Sequence, residues 1–323
     1  MVLSEFLKEW RDDSPTVTVK TSGSTGIPKQ IAVEKNRMVA SARITCDFLG
    51  LKRGDSALLC MPLDYIAGKM MVVRSEVCGL RLISVEPSGR PLQGLEEVPD
   101  FAAMTPMQVY NTLSEPKERR MLTRIRHLII GGGVIDDGMA AELRTFPNAV
   151  WSTYGMTETL SHIAMRRLSG SNASEWYTPF ESVGVSVNAD GCLIIDAPKV
   201  CDDPLTTRDI AEILPDGRRF RIVGRLDNVI NSGGIKIQAE EVERLLRPHI
   251  RSPFIITKRK DAKFGEAVAL LMQSVDVVTA RNVCRRVLPH YWIPRYYISV
   301  TALPVTETGK PARKTAEEIA CKN

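Results

Sequence analysis

No segment of the 323-residue sequence comes near the ~18 consecutive apolar residues of a membrane-spanning helix, which excludes a helical span. The first residues, Met1-Val2-Leu3-Ser4-Glu5-Phe6-Leu7-Lys8-Glu9-Trp10, carry acids early and lack the apolar run of a signal peptide, so they read as a first helix. The seven cysteines (Cys46, Cys60, Cys78, Cys192, Cys201, Cys284 and Cys321) are scattered singly, without the paired spacing that a zinc site or a dithiol redox motif needs. An odd count in a large chain without a leader predicts reduced thiols, mostly core fillers, and a cytoplasmic setting. Also missing is a basic stripe interleaved with aromatics. A net charge of +5 spread over this length does not argue for nucleic acid, although it suits anionic ligands such as nucleotides. Internal repeats and low-complexity segments are lacking as well.

What is present is ordinary globular material, 44% hydrophobic and 25% charged, in a chain long enough for two domains. Thr16-Val17-Thr18-Val19-Lys20 alternates as a strand and runs into a Gly/Ser/Thr loop, and a helix is expected over residues 37–49. Strands are then predicted at 57–61, 80–85, 102–104, 127–130 and 149–154, alternating with helices at 69–78, 106–113 and 136–146. This alternation predicts a large layered α/β domain with a mainly parallel sheet. From about Val183 short strands split by turns take over, at Asp190-Gly191, Asp216-Gly217 and Ser232-Gly233-Gly234. A small α+β pattern follows, with helices at 239–246, 279–287 and from 312, and strands near 254–257 and 267–272. The expected division is a large domain over 1–225 and a small mobile one over 228–323, with Asp227 between them.

Thr21-Ser22-Gly23-Ser24-Thr25-Gly26-Ile27-Pro28-Lys29 gathers hydroxyls, glycines and a lysine into one short loop. Glycines let backbone N–H groups close on an anion, hydroxyls donate further hydrogen bonds and lysine adds a point charge, so the loop suits a polyphosphate. Taken alone it is equally a flexible surface loop. A P-loop NTPase is excluded, because Lys29 follows Gly26 by three positions and Gly309-Lys310 is followed by Pro311.

Seven motifs in the same order resemble the superfamily of adenylate-forming enzymes, the acyl- and aryl-CoA ligases and their relatives. They are residues 21–29; Pro62-Leu63 through Gly68; Gly131-Gly132-Gly133; Tyr154-Gly155-Met156-Thr157-Glu158; Thr207-Arg208-Asp209; Gly224-Arg225-Leu226-Asp227 with Ser232-Gly233-Gly234; and Pro304 through Gly309-Lys310. The resemblance covers essentially the whole chain. Only twenty residues precede the loop, where the family usually has a substantial N-terminal subdomain, so one wall of that architecture is expected to be lacking.

The resemblance implies that residues 21–29 hold the β- and γ-phosphates of ATP. Gly131, Gly132 and Gly133 would border the adenine, with Tyr154 stacked on it beside Gly155 and Met156. Thr157 would touch the α-phosphate and Glu158 would hold Mg²⁺, a hard ion that prefers oxygen ligands. Asp209, helped by Arg225, would accept from the ribose hydroxyls. Asp227 would be the hinge, Gly233 and Gly234 would flank the coenzyme A channel, and Lys310 would be the catalytic cation of adenylation. Without the family, the three glycines are equally a tight turn, Glu158 a solvated charge, Asp209 and Asp227 turn residues, and Lys310 a solvated lysine before the last helix.

Within the superfamily the chain is most similar to the 2-succinylbenzoate–CoA ligases of menaquinone biosynthesis. The likeness rests on Thr207-Arg208-Asp209, where most relatives have glycine before the aspartate, and on residues 224–228, 232–234, Ile237-Gln238 and 240–243. It implies small-molecule partners (a carboxylic acid, ATP and coenzyme A) and leaves a homo-oligomer open. On the acid side stand Tyr65, Gly68, Arg74, Thr159 and Ser161. Tyr65 could stack on a benzoyl ring, and His162 reads as a polar wall because an ionised carboxylate needs no general base. Arg74 is either a solvated charge or salt-bridge partner, or, in its mostly apolar helix, a buried cation that needs an anion such as a carboxylate. Two other readings share these motifs: another aryl- or acyl-CoA ligase or carrier-loading adenylation enzyme, and a nucleotide-binding module that has lost catalysis.

Overall fold

Apolar runs too short for helices, each closed by a glycine, proline or polar turn, alternate with amphipathic stretches in the front of the chain, and the backbone follows that alternation. The computed structural model describes residues 1–20, 30–273, 276–305 and 311–322. The chain divides into two compact units. The first comprises Met1–Ser186, Ile195–Leu205 and Ile213–Phe220, and the second Val187–Ile194, Thr206–Glu212 and Arg221–Asn323. Among the described residues, no helix is long and apolar enough to cross a membrane.

The first unit opens with α1 (Leu3–Arg11) and the antiparallel pair β1 (Thr16–Lys20) and β2 (Gln30–Glu34). There follow α2 (Lys35–Leu49), β3 (Ser56–Leu59), α3 (Ile66–Cys78), β4 (Arg81–Ser84), β5 (Phe101–Met104), α4 (Pro106–Leu113), α5 (Pro116–Leu122), β6 (His127–Ile130), α6 (Asp137–Arg144), β7 (Ala149–Gly155), β8 (His162–Arg167) and β9 (Thr178–Pro179). A seven-stranded sheet runs β4-β3-β5-β6-β7-β8-β9. It is parallel from β4 to β7 and antiparallel beyond. All four residues of β3 and of β5 are buried, as strands covered on both faces must be. Leu58, Ala102, Met104, Leu128, Ile130 and Val150 of the sheet pack with Val109, Leu122, Met139 and Leu143 of α4, α5 and α6 into one core.

Helix starts follow local chemistry. Thr105 caps α4 reciprocally with Gln108 ahead of Pro106, and the Asp136 carboxylate accepts the Met139 N–H at the start of α6. The helix expected over 69–78 begins earlier, at Ile66. Gly68 lies within it, where a Cβ would come 2.4 Å from the Pro62 carbonyl oxygen. α5 carries too few apolar residues to show a periodic signal and is entered through Pro116 at its first position.

A four-stranded sheet, β10 (Gly184–Val187), β11 (Cys192–Asp196), β12 (Leu205–Ile213) and β13 (Phe220–Arg225), has residues in both units. The second unit continues with β14 (Val229–Ser232), β15 (Ile235–Gln238), α7 (Ala239–Leu246), β16 (Phe254–Asp261), β17 (Gly265–Met272), α8 (Val277–Val287), β18 (Tyr296–Ser299) and α9 (Arg313–Lys322). Alternation along β16 and β17 buries both faces of their sheet. Ile256, Val268, Leu270 and Met272 pack under α7 and α8, whereas Ile255, Ala269 and Leu271 pack under α9.

At the start of α9, the Arg313 guanidinium donates to both Glu243 oxygens, at 3.0 and 2.8 Å, and to the Ile256 carbonyl at 2.8 Å. Glu243 is 4% exposed, and one of its oxygens also accepts the Ile256 N–H. Replacing only Arg313 leaves this buried carboxylate with the Ile256 N–H and the more distant Arg247, 3.9 Å away, as its remaining partners. Arg313→Met is therefore expected to cost roughly 3–5 kcal/mol in chemical denaturation, with part of the loss recovered in the Arg313→Met, Glu243→Leu double variant.

Candidate active site

The motif after β7 folds as a tight turn that only its own residues permit. A Cβ on Gly155 would lie 2.2 Å from the Ser161 carbonyl oxygen, and Leu160 takes a left-handed conformation with φ of 62°. The turn is clasped from inside by Thr159, which is fully buried. Its hydroxyl accepts the Met156 N–H at 3.0 Å and lies 2.7 Å from the Ser161 carbonyl, which accepts its proton. Thr159 thus shapes the turn and has no free donor for an acid. Thr157 and Glu158 sit on its outer side, with the Glu158 side chain exposed and its carbonyl accepting the Cys201 thiol.

Ser161 is the hydroxyl that meets Arg74. The guanidinium is 2% exposed and donates from Nη2 to Ser161 Oγ at 2.7 Å and weakly from Nη1 to Met71 Sδ at 3.7 Å. Its Nε finds no partner and no carboxylate pairs with it among the described residues. Burial pulls its pKa down to about 10, which still leaves a cation at neutral pH.

The network continues in one direction. Thr45 donates its proton to the Ser41 carbonyl at 3.1 Å, so towards His162 Nε2, 3.1 Å away, it can only accept. That assigns the imidazole proton to Nε2. Nδ1 then accepts from Ser161 Oγ at 3.1 Å, and Ser161 in turn accepts from Arg74. The chain requires a neutral imidazole. Burial, and then the Arg74 charge, hold the His162 pKa well below 6.5.

Tyr65 stands apart from this cluster. It caps the N-terminus of α3, 41% exposed, nine residues and therefore ~13 Å of helical rise before Arg74. Gly68 lies between them. In the same unit, Gly131, Gly132 and Gly133 follow β6. A Cβ on Gly131 would lie 2.5 Å from Thr153 Oγ1, one on Gly133 would lie 3.1 Å from Pro106, and Gly132 has φ of 78°. Tyr154 projects from β7 against Phe220 and Tyr177, with ring centroids 5.3 and 5.8 Å away. Met156 is half-buried beside it.

In the second unit four charges alternate in sign. Arg225 donates to Asp209 at 3.0 Å and to Asp227 at 3.3 Å, while Arg208 grips both Asp227 oxygens at 2.8 and 2.9 Å. Arg208 had no role in the sequence reading, although its place before Asp209, where glycine is usual, was the signal. The hydrogen bond from Arg208 holds the Asp227 carboxyl below its ordinary range. Gly233 and Gly234 form the β14–β15 turn with φ of 58° and 85°, and a Cβ on Gly233 would press to 3.0 Å from the Phe264 ring. Thr21, Ser22, Gly23, Ser24, Thr25, Gly26, Lys29 and Lys310 lie outside the described residues. The flanks of Lys310 are tied, by a bridge between Val305 and Pro311 and by the Ala312 N–H donating to the Pro304 carbonyl at 2.9 Å.

The AMP-binding enzyme model matches residues 5–206, more than half of the chain. The chain belongs to the AMP-binding enzyme family, the adenylate-forming enzymes. Its relatives include the 2-succinylbenzoate–CoA ligase of Salmonella typhimurium, 26% identical over 335 residues, an alignment that takes in 97% of this chain and 71% of that protein. An acyl-CoA synthetase (AMP-forming)/AMP-acid ligase II-like protein from Dyadobacter fermentans, known from its crystal structure, is 32% identical with a TM-score of 0.67, over 96% of this chain and 91% of that one. The o-succinylbenzoate CoA synthetase of Bacillus subtilis, solved with its acyl-adenylate intermediate, shares the fold at a TM-score of 0.77 and 22% identity, over 93% and 68% of the two chains. The large α/β architecture is therefore that of the family.

The His162 network carries a pH signature. Because the folded pKa lies below 6.5, the unfolded chain takes up a proton that the folded chain refuses once the pH drops beneath that value. Stability is expected to fall on acidification by up to about 1.4 kcal/mol per pH unit for this one proton. Denaturation curves of His162→Gln between neutral and mildly acidic pH should lose that part of the slope, while the smaller share from His127, also lowered by burial, stays.

Proposed function

We propose that the protein activates 2-succinylbenzoate with ATP and passes the acyl group to coenzyme A. The observation that carries the acid side is Arg74, a buried cation aimed at Ser161 with an unpartnered Nε and no carboxylate among the described residues. A buried guanidinium without an anion is costly, and an anionic substrate relieves that cost with a charge-assisted, potentially bidentate contact. The substrate of the reading carries two carboxylates, one to react and one to be held. Its identity is supported by the Salmonella relative, aligned over nearly the whole chain.

The first half-reaction joins a carboxylate oxygen to the α-phosphorus of ATP and expels pyrophosphate. An ionised acid needs no base, consistent with the neutral, donor-saturated His162. Residues 21–29 hold the β- and γ-phosphates, Gly131 to Gly133 and Tyr154 border the adenine, Asp209 takes the ribose hydroxyls, and Thr157 meets the α-phosphate. No group of three metal-ligating side chains occurs among the described residues, which fits an ion carried mainly by phosphates and water with one protein carboxylate, the exposed Glu158. Bound there, Mg²⁺ would neutralise phosphate charge. Lys310 places a cation on the charge that develops in the transition state.

In the second half-reaction the coenzyme A thiol attacks the acyl carbon and AMP leaves, a better leaving group than the acid could offer unaided. Asp227 is the hinge between the domain spanning residues 1–225 and the mobile domain spanning 228–323, with Gly233 and Gly234 beside the thiol's path. Arg208 and Arg225 both donate to its carboxylate.

ATP–pyrophosphate exchange should depend on 2-succinylbenzoate and fall roughly 10–100-fold in kcat/KM in Arg74→Met, as for loss of a hydrogen bond to a charged group. Exchange supported only by fatty acids or other aryl acids would sink the assignment of the acid, and acyl transfer to a carrier protein in place of coenzyme A would change the acceptor. Lys310→Ala should lose about 10²–10³-fold in adenylation while largely keeping turnover of supplied acyl-adenylate, which single-turnover assays of the two halves separate.

A further inference from the structure

Charge alone gives Arg74 no direction. A guanidinium on a flexible side chain is turned by its hydrogen bonds, and among the described residues the one that reaches Arg74 from outside α3 is with Ser161, at 2.7 Å. The contact with Met71 Sδ, at 3.7 Å, lies within the helix. Ser161 offers a single hydroxyl on a turn, and it accepts from Arg74 in a fixed direction only when its own proton is sent elsewhere. His162 Nδ1, 3.1 Å from Ser161 Oγ, takes that proton, provided that the imidazole carries its own on Nε2.

The choice between the ring nitrogens is made by Thr45, a fully buried residue of α2, the helix that packs on α3. Its Oγ1 stands 3.1 Å from the Ser41 carbonyl, one turn back, and 3.1 Å from His162 Nε2. A helical threonine readily donates to the carbonyl four residues earlier, which leaves only lone pairs for Nε2 and so demands a proton there. Phe180 packs on the imidazole with ring centroids 5.6 Å apart. In the opposite tautomer Nδ1–H would donate to Ser161 as Arg74 already does, and the Ser161 proton would be free to face an acid. One threonine therefore decides whether Ser161 offers the acid a donor or only lone pairs, which a carboxylate cannot use.

We propose that Thr45 is a positioning residue for the second carboxylate of the acid. By holding the His162 proton on Nε2 it draws the Ser161 proton onto Nδ1, so that Ser161 serves the guanidinium and not the acid. The carboxylate is then met by Arg74, whose Nε is buried without a partner, and Ser161 sets the angle at which that group is presented. Thr45 touches no substrate and acts through two intervening side chains, His162 and Ser161. Its effect on the acid rests on Arg74 being the acid's anchor; the order of protons does not.

Nitrogen-15 NMR of the imidazoles in the full chain reads the order of protons, and with four histidines present the ring signals are assigned by substitution. Wild-type His162 should show a protonated Nε2 and a bare Nδ1; Thr45→Val should lose that preference and Thr45→Ser should keep it. A proton on Nδ1 in the wild type would overturn the proposal. In ATP–pyrophosphate exchange, Thr45→Val should raise the KM for 2-succinylbenzoate roughly 3–10-fold, with kcat and the KM for ATP unchanged, and Thr45→Ser should restore it. An unchanged KM, or a lower kcat with a lower melting temperature and the same KM, marks a threonine that only packs and sinks the idea. In the Arg74→Met background Thr45→Val should add nothing, and a second full rise in KM would reveal a route that bypasses Arg74, overturning it as well. If 2-succinylbenzoate supports no exchange, the proposed function fails and takes the effect on the acid with it, whereas the ring spectra still decide whether Thr45 sets the tautomer.

Discussion

A cation sealed inside the large unit sets the terms for everything around it. Arg74 is buried with no paired carboxylate among the described residues, and its charge is carried by a line of hydroxyls and one imidazole that can be protonated in only one pattern. Such an arrangement is expensive in a packed interior unless an anion completes it. The cost is met by the fold: α2 supplies Ser41 and Thr45, α3 supplies the guanidinium, and the turn before β8 supplies Ser161 and His162. Burial first, and then the same charge, hold the His162 pKa down, so the cluster that keeps Arg74 in place is also sensitive to acid.

The turn between β7 and β8 does the positioning. Gly155 admits the close approach of the Ser161 carbonyl, Leu160 takes a left-handed conformation, and Thr159 ties the interior of the loop to its own backbone. Thr157 and the exposed Glu158 thereby sit on the outer side of the turn, and Ser161 on the inner side against Arg74. In the proposed reaction the phosphate-side and acid-side groups would lie a few residues apart on this one turn.

The second unit uses charge differently. Its Asp209, Arg225, Asp227 and Arg208 alternate in sign at partly exposed positions, where ion pairs add little stability. Their value lies in orientation: an aspartate gripped by two arginines has a preferred direction that can be exchanged for another. The buried Arg313–Glu243 pair in the same unit is a structural counterpart. It fixes the start of α9, directly after the segment that carries Lys310.

The sequence by itself determined the family, the α/β alternation and the nucleotide motifs, because these depend on local periodicity and on residue types at short, fixed spacings. It also singled out Arg74 and Ser161, one by its apolar helix and the other by its place after a motif. It could not join them, since 87 positions separate the two and only the sheet brings α3 beside the β7–β8 turn. The same limit hid the inward role of Thr159 and the grip of Arg208 on Asp227. Hydroxyls and guanidinium groups carry no periodic signal. Their partners are chosen by how helices and strands pack, which is a property of the tertiary structure alone.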